Sequence, residues 1–476
     1  MAPGPDAAGV AGAAGVAGAA GVAGGDQAAA GAGGSAVAGG AVGGADAGEP
    51  EAAAGPEPES FPPLRRNRQF QTLWAGSAAA GLGLTVADVA YPLTILAVTG
   101  SPAKAGAFAA VEAAGLILAG LPAGQLVDRQ DPRRVLIAVE ACRAAVTGVV
   151  AAALAMGWLT FPLLLGAAVL LGMGQPAVAS ARILLIRAIV PPPQLTLALT
   201  QDEVRINGAD LVGPPLGGAL YGMRALAHAA PFVFTALSMV ASLISAMLVK
   251  VGRPAPPADA AGAERGRRSG MLAGVTAIWS NPVLRATTLL IAIVNTVGGS
   301  LALIAVVILR NQSVSPAMIG IALAAGSVGG LAGAPLVRPL HRLRPGVLLV
   351  AVCALEVPLL TLLSVPYGPW WMAALLFLAM LWIPSLRVLL DVLILRQAPA
   401  AERGRVVGAV MTLMGVGIPA GLAASGLMLQ YLSARTTMLV LAGVLAAGVL
   451  YGGAKPTLLR ARWPPRQGQA GPAEAS

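Results

Sequence analysis

From Phe70 to Ala454 the chain is a succession of apolar runs, parted from one another by a few polar residues or a Gly/Pro turn. A helix needs ~20 apolar residues to cross hydrocarbon, where no water is present to satisfy unpaired backbone N–H and C=O groups. Twelve runs meet that length, near residues 70–98, 103–126, 135–156, 161–190, 203–224 and 231–250, then 284–309, 316–337, 347–365, 370–397, 406–432 and 435–454. With 57% hydrophobic and 11% charged residues, a soluble globular chain is excluded. The predicted fold class is therefore an all-α membrane protein of 12 transmembrane helices, six to a half.

The charges sit where membrane orientation requires them. The net charge of +10 is concentrated in short loops between apolar runs, which argues for a bilayer and against nucleic acid as partner. Arg129, Arg133 and Arg134, the group Arg253, Arg265, Arg267 and Arg268, then Arg338, Arg342 and Arg344, and finally Arg403 and Arg405 fall in loops of one side. Loops of the other side hold little beyond Lys104, Arg224, Arg310 and Arg435. By the positive-inside rule both termini are expected in the cytoplasm of a multi-pass plasma-membrane protein. Trp158, Trp370 and Trp371 fall at predicted outer ends, Trp74 and Trp279 near inner ones, as interfacial tryptophans do.

Composition divides the chain further. Residues 1–62 are Ala/Gly/Val low complexity, carrying only acids from Asp6 to Glu59 and no basic n-region, so they read as a disordered tail and not a secretory signal. Residues 63–250 form the first six-helix unit and 284–455 the second; 251–283 is a Pro/Ala-rich, then basic, cytoplasmic linker, and 456–476 a basic tail. Cys142 and Cys353 lie inside apolar runs and suit packing, with no disulfide framework or metal spacing. The two histidines, His228 and His341, fall in turns on opposite sides.

The halves echo each other. Ser101-Pro102-Ala103-Lys104-Ala105-Gly106 recurs as Ser315-Pro316-Ala317-Met318-Ile319-Gly320, opening the second helix of each half. Ser at the N-cap and Pro at the first helical position account for the local pattern. Ser180-Ala181-Arg182 returns as Ser385-Leu386-Arg387, late in the fourth helix of each half. Paired echoes in matching helices point to a duplicated six-helix unit.

The turn between the second and third spans is Gly124-Gln125-Leu126-Val127-Asp128-Arg129-Gln130-Asp131-Pro132-Arg133-Arg134. Its G-x-L-x-D-R-x-x-x-R-R pattern, in that place, resembles the loop signature of the major facilitator superfamily of secondary transporters, over about residues 64–455. The resemblance implies two pseudo-symmetric six-helix bundles with a substrate site between them near the midplane. It also implies that Asp128 engages the start of the eleventh helix, latching the halves in the outward-facing state, with Gly124, Arg129, Arg133, Arg134 and Arg405 around it. A carboxylate meeting a helix N-terminus is stabilised by ~0.3–1 kcal/mol when exposed. Residues 333–346 of the second half hold no matching aspartate. In the fifth span, Gly213-Pro214-Pro215-Leu216-Gly217-Gly218 is similar to the end of the motif of bacterial 12-helix drug:proton antiporters, although Ala209 stands where that motif has glycine. Small residues there permit close helix contact, and proline bends the helix.

Charges inside apolar runs cost ~2.5–3.5 kcal/mol each on insertion scales and are read as functional. Asp88 and Glu112 each lie twelve residues from Gly100, so an antiparallel hairpin sets both roughly 18 Å from the turn, near the midplane. Such a pair suits proton coupling or a cationic drug, the alternative being a structural pair with Arg143. Glu140 and Arg143 in the third span, and Arg387 and Asp391 in the tenth, stand one turn apart as candidate charge pairs. Arg182 and Arg187 are candidates for the Asp128 network. The arginine that the family carries early in the fourth helix has no match in Leu170-Leu171-Gly172-Met173-Gly174-Gln175, which shifts weight to Asp88 and Glu112. Asn295, Thr296, Ser300 and Trp382 are candidates for the substrate cavity, each with helix packing as its alternative.

A membrane-embedded enzyme would need a histidine–aspartate cluster, a metal set or a nucleophile–base pair, and a channel a filter segment; neither is visible. The reading is a proton-driven exporter of a hydrophobic or amphipathic small molecule, a monomer with no cofactor beyond the proton gradient. An importer, or a siderophore or metabolite permease, is the alternative within the same fold.

Overall fold

The computed structural model describes residues 62–223, 228–250, 276, 278–397 and 403–460, the side chains at 121, 391–397, 403–405 and 407 excepted. The first half comprises α1 (Arg68–Thr99), α2 (Pro102–Arg129), α3 (Pro132–Ala155), α4 (Phe161–Ile189), α5 (Leu195–Gly222) and α6 (Ala230–Leu248). The second comprises α7 (Pro282–Asn311), α8 (Pro316–Gly333), α9 (Pro345–Leu363), α10 (Pro369–Met380, resuming as Ile383–Gln397), α11 (Arg403–Tyr431) and α12 (Ala434–Gly453). No strand occurs among the described residues. The end that carries the α2–α3 turn and Arg338, Arg342 and Arg344 is called the arginine end, and the other the far end.

Local chemistry explains the helix starts. Asn67, Ser101, Asp131, Asn281 and Ser433 each accept a backbone N–H of the first turn of α1, α2, α3, α7 and α12. Proline opens α2, α3, α7, α8, α9 and α10, where its missing N–H costs nothing. Ser315 takes the N-cap position of α8 but makes no side-chain cap bond, so the two Ser-Pro echoes differ there. Gly100 closes α1 at φ 65°, the left-handed conformation that glycine adopts without strain.

Eleven stretches are long and apolar enough to cross a membrane. The remaining helix, α5, begins at Leu195, eight residues before its predicted start, and adds Leu195 to Asp202 to a body already interrupted by Glu203, Arg205 and Asp210. The tenth span is broken at Leu381 and Trp382, just ahead of Pro384, which has no N–H to give the Met380 carbonyl and whose ring crowds it.

Packing repeats between halves. The first helix of each half lies on the fifth and sixth, the second on the fourth, and the third on the fourth and sixth. Apolar side chains do not drive helices together in lipid, so the contacts rely on small residues and backbone approach. On α1, a Cβ at Gly76 or Gly83 would run into Ser245 or Ser238 of α6, and Thr235 Oγ1 donates to the Gly83 carbonyl at 2.8 Å. Between α7 and α11, Gly417 and Gly421 do the same against Ala292 and Thr296.

The halves meet along two seams, α2 with α11 and α5 with α8. Contacts begin at the far end, where Ser101 Oγ donates to Gln430 Oε1 at 2.7 Å and Gly106 lies against Gly426. They continue to mid-helix, where Gly415 approaches Ile117. Toward the arginine end, Gly120, Gly124, Gly208 and Gly408 face open space. The molecule is closed at the far end and open at the arginine end.

Candidate functional site

Asp88 is exposed at the centre of α1, a helix otherwise covered behind by α6. Its charged neighbours are Glu112 of α2, Asp210 of α5 and Arg143 of α3. Helices α2 and α5 flank α1 on the side of the other half, so Asp88 faces the space between the halves. Glu112 and Asp210 are both partly exposed. The hairpin depth match does bring Asp88 and Glu112 together, and the structure adds Asp210. This third acid carries the same signal, a charge inside an apolar run, and the sequence reading does not single it out.

The opposite wall is uncharged at the matching places. Counted from the helix starts Arg68 and Pro282, Ala302 stands in α7 where Asp88 stands in α1. Counted from Pro102 and Pro316, Gly326 stands in α8 where Glu112 stands in α2. At these two matched places acid is carried by the first half alone; the second half has Glu356 in the middle of α9.

Proline in α5 ties this site to the seam. Pro214 has no N–H, so the carbonyl of Asp210, one turn earlier, loses its intrahelical donor. Ser327 Oγ of α8 supplies the missing bond at 3.0 Å. The rest of the motif serves close packing: Gly213 and Gly217 lie against Thr85 and Val86 of α1, and Gly218 against Pro316 of α8. Ala209, where the motif has glycine, accepts from Thr85 Oγ1 at 3.0 Å through its carbonyl.

Behind the acids lies a buried ion network. Arg143 Nη1 and Glu140 Oε2 are 3.5 Å apart, at 3% and 1% side-chain exposure, and Ser242 Oγ of α6 donates to Glu140 Oε1 at 3.0 Å. Asp202 of α5 takes Arg205 Nε at 2.8 Å and lies 3.5 Å from Arg182 Nε of α4. Arg205 Nη1 also donates to the Ser77 carbonyl of α1 at 3.0 Å. The expected tie of Arg182 to Asp128 is therefore corrected, since Arg182 pairs with Asp202; Arg187 is exposed. Helix rotation decides this, because Arg182 points across the bundle to α5 and not along it to the α2–α3 turn.

The turn itself splits by residue. Asp131 caps α3 by accepting from Arg133 N at 2.9 Å. Arg133 donates through Nε to the Ala246 carbonyl at 2.9 Å and through Nη2 to the Met247 carbonyl, closing the C-terminus of α6. Arg134 is 86% exposed and 3.8 Å from Asp131. Asp128 and Arg129 are exposed, on an end where α2 and α11 have parted. The side chain of Arg405, like that of Asp391, lies outside the described residues; Arg387 is exposed.

The cavity candidates divide too. Asn295 Nδ2 donates to the Met414 carbonyl at 2.9 Å. Thr296 and Ser300 return their hydroxyls to α7 carbonyls at 2.7 and 2.9 Å and lie against Gly417 and Gly421 of α11. Ser300 is fully buried, so the structure places it in helix packing. Trp382 sits in the α10 break with its Nε1 buried and unpartnered. His228 stacks on Tyr221 and contacts its carbonyl through Nδ1 at 2.7 Å. Among the described residues no cluster of His, Cys, Asp and Glu has the makings of a metal site.

A family model described as transmembrane secretion effector matches residues 59–458. The chain belongs to that family. Similar to this chain is "Multidrug efflux pump Tap" of Mycolicibacterium fortuitum, 28% identical over 382 residues, covering 77% of this chain and 90% of that pump. Its fold is the major facilitator fold. A bacterial homologue of the human lysosomal transporter Spinster, solved inward-facing and unoccupied, matches at TM-score 0.67 and 16% identity, over 85% of this chain and all of that one. The nucleoside transporter NupG matches at TM-score 0.65 and 12% identity, over 82% and 99%. A bacterial homologue of the iron transporter ferroportin, inward-facing, matches at 0.63 and 16%, over 82% and 98%.

Proposed function

We propose that the protein is a secondary active exporter that moves hydrophobic or amphipathic small molecules out across the cell membrane in exchange for protons. The observation that carries this reading is the gathering of Asp88, Glu112 and Asp210 on one wall of the space between the halves. Three carboxylates at bilayer depth repel one another and are expensive to keep ionised. A proton relieves that charge, and so does a cationic group on a substrate. Competition between the two for one wall is a physical basis for exchange. The other wall has the exposed Ala302 where the first half has Asp88 and offers apolar surface to the body of the substrate.

The arginine end is assigned to the cytoplasm by the positive-inside rule, with both chain ends on that side. The described conformation is then inward-facing, ready to take substrate from the cytoplasm or inner leaflet. Rocking of the halves opens the far seam, releases the substrate and brings Asp128 to the start of α11. No bond of the substrate changes, the proton gradient is the energy source, and one copy contains the whole site. Kinship with a multidrug efflux pump supports the outward direction.

The test uses ethidium as probe with inverted vesicles carrying the full chain. Ethidium addition is expected to shift lumenal pH with the native protein. Asp88→Asn, Glu112→Gln and Asp210→Asn combined are expected to lower gradient-driven uptake at least tenfold (about 1.4 kcal/mol in the transport barrier) at unchanged membrane abundance. Retained uptake with retained proton movement in that triple variant would remove the acids from the mechanism.

A further inference from the structure

We propose that Arg143 is the positioning residue that links the cavity acids to the buried ion network, its guanidinium passing between Glu140 and the Asp88/Glu112 pair as those acids change charge. This inference rests on the proton-coupled reading above.

Three observations carry it. Arg143 is buried, yet its guanidinium, with five N–H donors, has one carboxylate contact at 3.5 Å, longer than the usual 2.7–3.2 Å, and its Nε has no partner. A buried guanidinium so poorly satisfied is costly unless a second acceptor is within its swing. Second, Glu140 is anchored without it, since Ser242 of α6 holds its other oxygen at 3.0 Å. Third, Arg143 is the basic neighbour that Glu112 and Asp88 share.

Room for the swing comes from α4. Gly172 and Gly174 are two residues apart and so lie on opposite sides of that helix. Gly172 lets α2 in at the Glu112 carbonyl, while at Gly174 a Cβ would stand 3.2 Å from Arg143 Cδ and 3.0 Å from Val139 Cγ1. Helix α4 carries no arginine at this level; the cation arrives from α3 through the gap that Gly174 leaves. The charged and titratable groups around the guanidinium are Asp88 and Tyr91 of α1, Glu112 of α2, Glu140 of α3 and Arg182 of α4. Asp210 of α5 acts through Asp88.

With Glu112 and Asp88 ionised, the guanidinium turns toward them. A proton from the outer face neutralises one of these carboxylates, and the guanidinium returns to Glu140. Release of that proton to the inner face restores the first arrangement.

The experiment reads ethidium transport and lumenal proton movement in proteoliposomes across about pH 6–8.5, for the full chain and its variants. Glu140→Gln, which removes one of the two stations and leaves the guanidinium with the cavity acids, is expected to slow transport about threefold or more and to shift its midpoint downward, opposite to Arg143→Gln. Arg143→Gln should lose at least tenfold and shift the transport midpoint upward by about one pH unit, and adding Glu140→Gln should not rescue it. Arg143→Lys should recover part of the rate. Gly174→Ala, which leaves every charge in place and only crowds the arginine stem, should slow transport while leaving equilibrium ethidium binding within about twofold; it carries the test if Arg143→Gln does not fold. Rescue of Arg143→Gln by Glu140→Gln with an unmoved pH midpoint overturns the proposal, because Arg143 would then be no more than the structural partner of Glu140. A native protein that carries ethidium without moving protons overturns the coupled reading itself, and this inference with it.

Discussion

Arg133 and Arg134 are neighbours in one short turn and do different work. Arg133 spans from the start of α3 to the last carbonyls of α6, where charge-assisted hydrogen bonds and the negative helix end both favour a cation. Arg134 is 86% exposed and 3.8 Å from its acid, the kind of surface pair worth little. Arg133→Ala is therefore expected to lower the stability of the detergent-purified protein by about 2 kcal/mol, and Arg134→Ala by about 0.5 kcal/mol or less. Thermal unfolding of both variants checks this, and equal losses would contradict the division. Ser242 is a second such position. Its hydroxyl bonds an ion buried to 1% exposure, so Ser242→Ala should cost roughly 1.5–3 kcal/mol, whereas Ser→Ala at an exposed site costs a few tenths. The same measurement decides it.

At the level of helices, α5 concentrates the function. Four acidic or basic residues interrupt its apolar pattern, two prolines bend it, and three glycines press it against α1 and α8. Its carbonyl at Asp210, freed by Pro214, is held by Ser327 across the seam. Ser327→Ala leaves that carbonyl without a donor in the described state. The expected cost of about 1 kcal/mol converts to a roughly fivefold shift of population toward the state open at the far end. Spin-label distances between α2 and α11 at the far end, lengthening in the variant, check the shift; an unchanged distribution refutes it. The lower hydropathy of α5 fits its place beside the space between the halves. A helix that lines a cavity is relieved of lipid contact on that face and tolerates charge or irregular backbone there.

For the molecule as a whole, the two seams make it a clamp closed at one end. Ser101 and Gln430 bridge the halves where they touch, so a Ser101→Cys, Gln430→Cys pair is expected to cross-link with a short thiol reagent and cut transport at least tenfold, with reducing agent restoring it. At the parted end, Asp128→Asn removes the charge that meets α11 after rocking; it should leave the thermal midpoint within about 2 °C and slow transport several-fold. Much of this was legible along the chain. Twelve hydropathy runs, the arginine bias of alternate loops, the N-cap residues and the glycine–proline motif are local properties, each set by a few consecutive side chains meeting water, lipid or their own backbone. The depth of Asp88 and Glu112 followed from counting residues on two helices joined by a turn. Their company was another matter. Arg182 pairs with Asp202 and not near Asp128, Ser300 sits in packing, Asp210 joins the acids, and Arg143 reaches past Gly174; each depends on how a helix is turned about its own axis. In water that rotation is read from apolar periodicity, but in a membrane the lipid face and the protein face are equally apolar. Which glycine meets which backbone therefore chooses the rotation, and that meeting exists only once the helices are packed.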